Sequence, residues 1–203
     1  MITNTKPVAI VAAILLATAF FARPAAADAD LEAGKNLGYS CLGCHGIEGY
    51  RNAYPSYRVP MLGGQKATYI EIALRGYRDG TREHPTMTGQ ASSLSDADIV
   101  NVSAYLASMV EEPAGTESES PAFDKAQPCA ACHGPGGISA NALWPTLAGQ
   151  HEDYIVHALK SYRDGTRKDP VMSAQAMLLE EQDLAQLAKY FASLDGLETT
   201  TPE

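Results

Sequence analysis

Cys41-Leu42-Gly43-Cys44-His45 and Cys129-Ala130-Ala131-Cys132-His133 are two copies of one five-residue pattern, C-x-x-C-H. Thiols three residues apart share a helical turn, so each can form a thioether to a haem vinyl group while the adjacent histidine turns inward to ligate iron. The competing readings of a C-x-x-C pair are a redox-active dithiol and half of a zinc site. A thioredoxin-like dithiol would sit on a βαβ pattern that this chain lacks, and neither alternative needs a histidine directly after the second cysteine in both copies. The pattern predicts two covalently bound haem c groups, one on Cys41 and Cys44 and one on Cys129 and Cys132, with His45 and His133 as axial iron ligands. All four cysteines are consumed, which leaves none for a disulfide.

The motif repeats because a whole domain repeats. The haem motifs are offset by 88 residues and the sequence downstream by 85, so the loop after the motif differs by three residues. In the second register Leu62–Leu94 matches Leu147–Leu179 at 18 of 33 positions, with Tyr-Arg-Asp-Gly-Thr-Arg, ending at Arg82 and Arg167, as the longest shared run. The expected division is a leader over residues 1–27, one domain over 28–110, an acidic linker over 111–120 and a second domain over 121–203. Domains of this size have thin apolar cores, and a covalently held haem would supply the missing apolar centre.

Each copy reads as helix, long loop, helix, loop, helix. The first helix runs from about Asp30 into the haem motif, with its counterpart from about Ala122. The second carries Tyr69, Ile70, Ala73, Leu74 and Tyr77 at helical spacing and ends at Gly80, as Tyr154 to Tyr162 ends at Gly165. The third starts at Ser95, whose Ser-x-x-Asp pattern to Asp98 resembles a capping box, and its partner spans about Glu180 to Leu194 without that serine. No alternation of strands is present, so the fold class is all-α.

A low-spin electron-transfer haem needs a second axial ligand, usually Met or His. Beyond the leader the methionines are Met61, Met87, Met109, Met172 and Met177. Met87 and Met172 alone occupy matching places, each two residues after a proline in the loop between the second and third helices, and are the expected ligands. His84, close to Met87, is a candidate for ligand exchange, whereas His151 and His157 have no histidine counterpart. Pro60 and Pro145 are placed to offer a carbonyl to the axial histidines. Arg78 and Arg163 suit either haem propionates or the dipole of a helix C-terminus.

The N-terminus reads as a secretory signal, with Lys6, an apolar run from Val8 to Ala22 and Ala25-Ala26-Ala27 as a cleavage site, which predicts export to a periplasm. As a retained anchor the run would fall short of the ~20 residues that span a bilayer. Cleavage would remove Lys6 and Arg23 but no acid, moving the formal net charge from −9 to −11. That charge excludes nucleic acid as a partner. It suits either a basic patch on a redox protein or simple solubility.

The succession C-x-x-C-H, Pro-x-Leu-x-Gly-Gln (Pro60–Gln65), Tyr-Arg-Asp-Gly-Thr-Arg, and Met87 seven residues before Leu94-Ser95-Asp96-Ala97-Asp98-Ile99 resembles the cytochrome c4 family, over essentially the whole chain after the leader. The resemblance implies two tandem class I cytochrome c domains related by pseudo-twofold symmetry, two His/Met haems and propionates facing each other across the interface. It also implies a periplasmic electron carrier, not an enzyme, between a quinol-oxidising complex or dehydrogenase and a terminal oxidase or other oxidant. The alternative is an electron-transfer subunit of a sulfide- or thiosulfate-oxidising complex. Peripheral membrane association is left open. Two segments depart from the family pattern: Leu179–Leu184, a weaker copy of the third-helix start, and the tyrosine-rich Tyr50–Tyr57.

Overall fold

The computed structural model describes residues 1, 29–114 and 123–201, so the expected signal segment, Met1 apart, and most of the acidic linker lie outside the described residues. Among the described residues eight α-helices follow one another as two sets of four. The first set is α1 (Leu31–His45), α2 (Ala67–Asp79), α3 (Pro85–Ala91) and α4 (Asp96–Ser108). The second is α5 (Gln127–His133), α6 (Glu152–Asp164), α7 (Pro170–Met177) and α8 (Glu181–Ala192). Among the described residues no strand forms, and extended pairing is limited to isolated bridges. The chain is all-α, as its periodicity predicts.

In the first set α1 and α2 pack on α4, and α3 packs on α2; in the second, α6 packs on α8 and α7 on α6. Each set has its own core. Leu42, Ile70, Leu74, Ile99, Val102 and Leu106 form the first, and Ala148, Ile155, Leu187, Ala188 and Phe191 the second. The crossing of α1 with α4 is close because Gly34 and Gly38, one turn apart, face α4. A Cβ at Gly34 would collide with the Asn101 carbonyl, and one at Gly38 would stand 2.8 Å from Tyr105 Cδ1. The Asp30 side chain caps α1 by accepting the N–H groups of Glu32 and Ala33, each at 3.0 Å.

Three elements differ from the sequence expectation. The counterpart of α1 is a 3₁₀ turn (Asp124–Ala126) followed by the seven-residue α5. Pro128 explains the break, since a residue without an N–H is accommodated only in a helix's first turn. Conversely, the segments carrying Met87 and Met172, expected as loops, are the short helices α3 and α7. Pro85 and Pro170 stand in their first turns, and the side chains of His84 and Asp169 accept the N–H of Met87 at 3.2 Å and of Met172 at 2.8 Å. Ser95 and Asp98 form the expected capping box of α4. In the weaker copy Asp183 accepts the Glu180 N–H at 3.0 Å.

The two sets meet through contacts that recur with the copies exchanged, which is what a pseudo-twofold axis requires. Arg82 and Arg167 form an antiparallel bridge. Beside it Glu83 N–H donates to Thr166 O at 2.8 Å and Lys168 N–H to Thr81 O at 2.7 Å. Two further contacts have no twin. The Tyr50–Tyr57 segment folds back through an Arg51–Arg58 bridge, stacks Tyr57 on His157 with ring centres 4.0 Å apart, and lets Arg58 donate to Asp153 from its backbone N–H and its Nε at 3.1 and 3.0 Å. The chain after α8 crosses back to the first set. Gly63 and Glu198 exchange backbone hydrogen bonds of 2.9 and 3.0 Å, and the fully buried Thr200 reaches the His45 carbonyl at 3.4 Å.

Two expectations follow from these contacts. Gly34→Ala pushes α1 from α4 and destabilises the haem-loaded protein by about 1–3 kcal/mol. Gly43→Ala, where a Cβ meets no protein atom within 4 Å and the second copy already carries Ala131, leaves it unchanged. Thermal melts followed by circular dichroism separate them. At Asp153, burial works to raise the carboxyl pKa, but the Arg58 N–H, its guanidinium and Arg51 outweigh it and hold the pKa low. A folded-state pKa below the unfolded value of ~3.9 contributes stability above about pH 4 that is lost as pH falls through the folded value. Asp153→Asn is therefore less stable than the parent by about 1–2 kcal/mol at neutral pH, and the gap closes on acidification. A gap that is constant with pH would refute this.

Candidate functional site

The last turns of α1 carry Cys41, Cys44 and His45, and α5 carries Cys129, Cys132 and His133. All four thiols are free and partly buried. Burial pushes the Cys41 and Cys129 thiols above their ordinary pKa. Both histidines are buried, at 9 and 6 % exposure. Burial lowers their pKa against the opposing pull of a proline carbonyl, so each imidazole is neutral near pH 7. That carbonyl decides the tautomer. His45 Nδ1–H donates to Pro60 O and His133 Nδ1–H to Pro145 O, both at 2.8 Å, which leaves Nε2 as the unprotonated donor atom for a metal.

Met87 and Met172 occupy equivalent positions in α3 and α7 and are both half-buried, and Met87 packs against the first core. The other methionines have different surroundings. Met61 binds Gln150 through its backbone, Met109 packs against the first core and Met177 is 68 % exposed. The ring of His84 is engaged as the cap of α3, and His157 stacks on Tyr57.

The structure redirects one pair of residues. Arg78 and Arg163, candidates for propionate binding by sequence, tie helices together. Arg78 pairs with Asp96 at 2.9 Å and donates to Leu94 O at 3.3 Å, and Arg163 pairs with Glu181 at 3.2 Å and donates to Ala176 O at 3.0 Å. The arginines without a carboxylate partner at the domain interface, among the described residues, are Arg82 and Arg167. Each lies over a tyrosine of its own copy, Arg82 4.5 Å from the Tyr77 ring centre and Arg167 4.4 Å from that of Tyr162. Each also donates to a tyrosine hydroxyl of the other copy, Arg82 to Tyr154 and Arg167 to Tyr69. Two guanidiniums paired only with phenols and rings call for anions, because a desolvated cation without a countercharge is costly. The two carboxylates of a haem fit that need.

Sequence reasoning left Arg82, Arg167, Tyr69, Tyr154, Gln65 and Gln150 without a role. Their signal was their identity in both copies at the 85-residue offset, a pattern that a shared core also produces. Together the free thiols, the neutral imidazoles with Nε2 free and the unpaired guanidiniums suit a covalently attached haem in each copy.

Comparison with known proteins agrees. The cytochrome c family profile matches residues 31–110 and 122–195. The chain is 31% identical to cytochrome c4 of Pseudomonas aeruginosa, over 81% of this chain and 89% of that protein. It is 32% identical to a thiosulfate dehydrogenase electron acceptor of Stutzerimonas stutzeri, over 95% of this chain and 96% of that protein. Reduced cytochrome c4 of Pseudomonas stutzeri superposes with a TM-score of 0.64 at 29% identity, covering 82% of this chain and 99% of that one.

The interfacial guanidiniums can be tested through pH. Arg82→Met is expected to raise the pKa of the haem carboxylate it neutralises by about 1–3 units, since an adjacent cation favours the ionised form. The variant's reduction potential then rises as pH falls between about 7 and 5, while the parent stays flatter. Potentiometric titration at several pH values reads the difference, and parallel profiles would remove Arg82 from that role.

Proposed function

The chain belongs to the cytochrome c family and within it to the cytochrome c4 group, and on that premise we propose that it is a periplasmic electron carrier whose irons are ligated by His45 with Met87 and by His133 with Met172. It carries two covalently bound haem c groups and is an electron-transfer protein rather than an enzyme. Each haem, when bound, supplies a one-electron ferric/ferrous couple.

The observation that carries the ligand assignment is the duplicated pair of a buried neutral histidine and a half-buried methionine. Each histidine has its Nδ1 proton engaged and its Nε2 free. Each methionine is held by a first-turn proline and a capped backbone N–H. Two thioethers, on Cys41 and Cys44 and on Cys129 and Cys132, would fix each haem to its helix, and Arg82 and Arg167 would hold its carboxylates. Saturated coordination leaves no place for a substrate, and ligands set in packed helices change little with oxidation state, which suits electron transfer.

The domains divide as 28–110 and 121–203 around the linker 111–120, a division supported by the two separate cores and the two family matches. Residues 1–27 direct export and are removed. No helix among the described residues is long and apolar enough to cross a membrane. The partners are redox proteins, with a quinol-oxidising complex or a dehydrogenase as donor and a terminal oxidase or another oxidant as acceptor. A second reading, acceptor of electrons from a thiosulfate-oxidising enzyme, is favoured by the near full-length similarity to the Stutzerimonas stutzeri electron acceptor. It requires reduction of this protein by thiosulfate only when such an enzyme is present.

Carbon monoxide tests the ligands, because it binds ferrous haem only where a position is free or labile. The dithionite-reduced parent is expected to keep its low-spin spectrum under carbon monoxide. Met87→Ala and Met172→Ala are each expected to convert half of the haem to the carbonyl form. A parent that binds carbon monoxide readily would overturn the assignment.

A further inference from the structure

Each axial histidine is connected to the opposite domain through a single peptide group. His45 donates to the carbonyl of Pro60 at 2.8 Å. The N–H of the same peptide unit, on Met61, donates to Gln150 Oε1 at 3.0 Å, and Gln150 Nε2 returns a hydrogen bond to the Met61 carbonyl at 3.0 Å. The arrangement is repeated with the copies exchanged. His133 donates to Pro145 O at 2.8 Å, Thr146 N–H donates to Gln65 Oε1 at 3.1 Å, and Gln65 Nε2 donates to Thr146 O at 3.0 Å. Both glutamines are buried, at 4 and 5 % exposure. Their orientation is pinned by a further backbone donor on the same oxygen, Lys66 N–H on Gln65 and His151 N–H on Gln150, at 3.1 and 3.0 Å.

Hydrogen bonds in a chain polarise one another, by about 10–30% per bond in a buried setting. An amide whose N–H is engaged by a carboxamide oxygen carries more negative charge on its own carbonyl. That carbonyl draws harder on the imidazole Nδ1 proton, and the added electron density appears at Nε2, where it makes the ligand more basic. A more basic ligand favours ferric over ferrous iron. Each glutamine thus acts on the iron of the domain it does not belong to. A bracket serving only to join the domains could have engaged any exposed backbone. These engage the one peptide in each copy whose carbonyl holds the axial histidine.

On the ligand assignment proposed above, we infer that Gln65 and Gln150 are positioning residues that lower the reduction potential of the haem in the opposite domain, so that each domain tunes the other's iron. The residues act through the Pro–X peptide that holds each axial histidine. The effect is crossed: Gln150 acts on the His45 site, and Gln65 on the His133 site.

The test uses the full dihaem protein and a readout that resolves the two haems, potentiometric titration followed by the haem methyl resonances in NMR. Gln150→Leu is expected to raise the potential of the His45 haem by about twofold in its reduction equilibrium, ~18 mV at about 59 mV per tenfold. The His133 haem should move much less, and Gln65→Leu should do the reverse. Gln150→Glu keeps an acceptor oxygen and adds charge, so it should move the His45 haem the other way even if the leucine variant fails to fold. Equal shifts at both haems, a shift confined to the variant's own domain, or no shift would overturn the inference. The parent's ferric spectrum separates this from the ligand assignment. Loss of the methionine–iron charge-transfer band in the parent overturns both, whereas its presence with unmoved potentials overturns the tuning alone.

Discussion

The geometry of this protein is organised around a proton that has to be held in a buried place. A histidine that ligates through Nε2 must keep its proton on Nδ1, and a buried N–H must find an acceptor. Pro60 and Pro145 provide that acceptor at 2.8 Å. Proline brings a fixed φ and no N–H of its own to satisfy, so the peptide before it carries no competing donor. Everything nearby is arranged around these two carbonyls. The residue after each proline turns its N–H to the other domain, and the glutamine four residues further on accepts the N–H of its own neighbour while gripping the opposite domain.

The domain interface is consequently a continuation of the two metal sites. Its centre is an antiparallel pairing of the segments that contain Arg82 and Arg167, which sets two guanidiniums side by side. Like charges in such proximity are unfavourable, and tyrosine rings and hydroxyls answer only part of the need. The carboxylates of a bound haem would complete the balance. Binding of a group to the folded form alone stabilises that form, so carboxylates held at this interface would link cofactor attachment to domain docking.

Much of this was legible in the chain itself. Helical periodicity located α2, α4, α6 and α8, the capping pattern at Ser95 placed the start of α4, and the motif and its repeat identified the cofactor and the duplication. What escaped had physical reasons. α3 and α7 are too short for an apolar period to emerge, and the caps that start them come from a histidine in one copy and an aspartate in the other. The counterpart of α1 was split ahead of α5 by Pro128, whose effect depends on whether it falls in a first turn. Arg78 and Arg82 are four residues apart in the same motif, and charge alone could not say which meets an acid on α4 and which faces the axis. The glutamines read as ordinary repeated polar residues because their partners lie 81 and 89 positions away.

The return of the chain to its first domain has a bearing on biogenesis. Thr200 packs without exposed surface against the carbonyl of His45, 155 residues earlier, and Glu198 pairs with Gly63 beside the first histidine's peptide. A chain made from its N-terminus presents its first haem motif long before residues 197–200 exist. The first domain therefore lacks some of its contacts until the second has been made. The last-made residues of the chain are thus among those that close the surroundings of its first haem histidine.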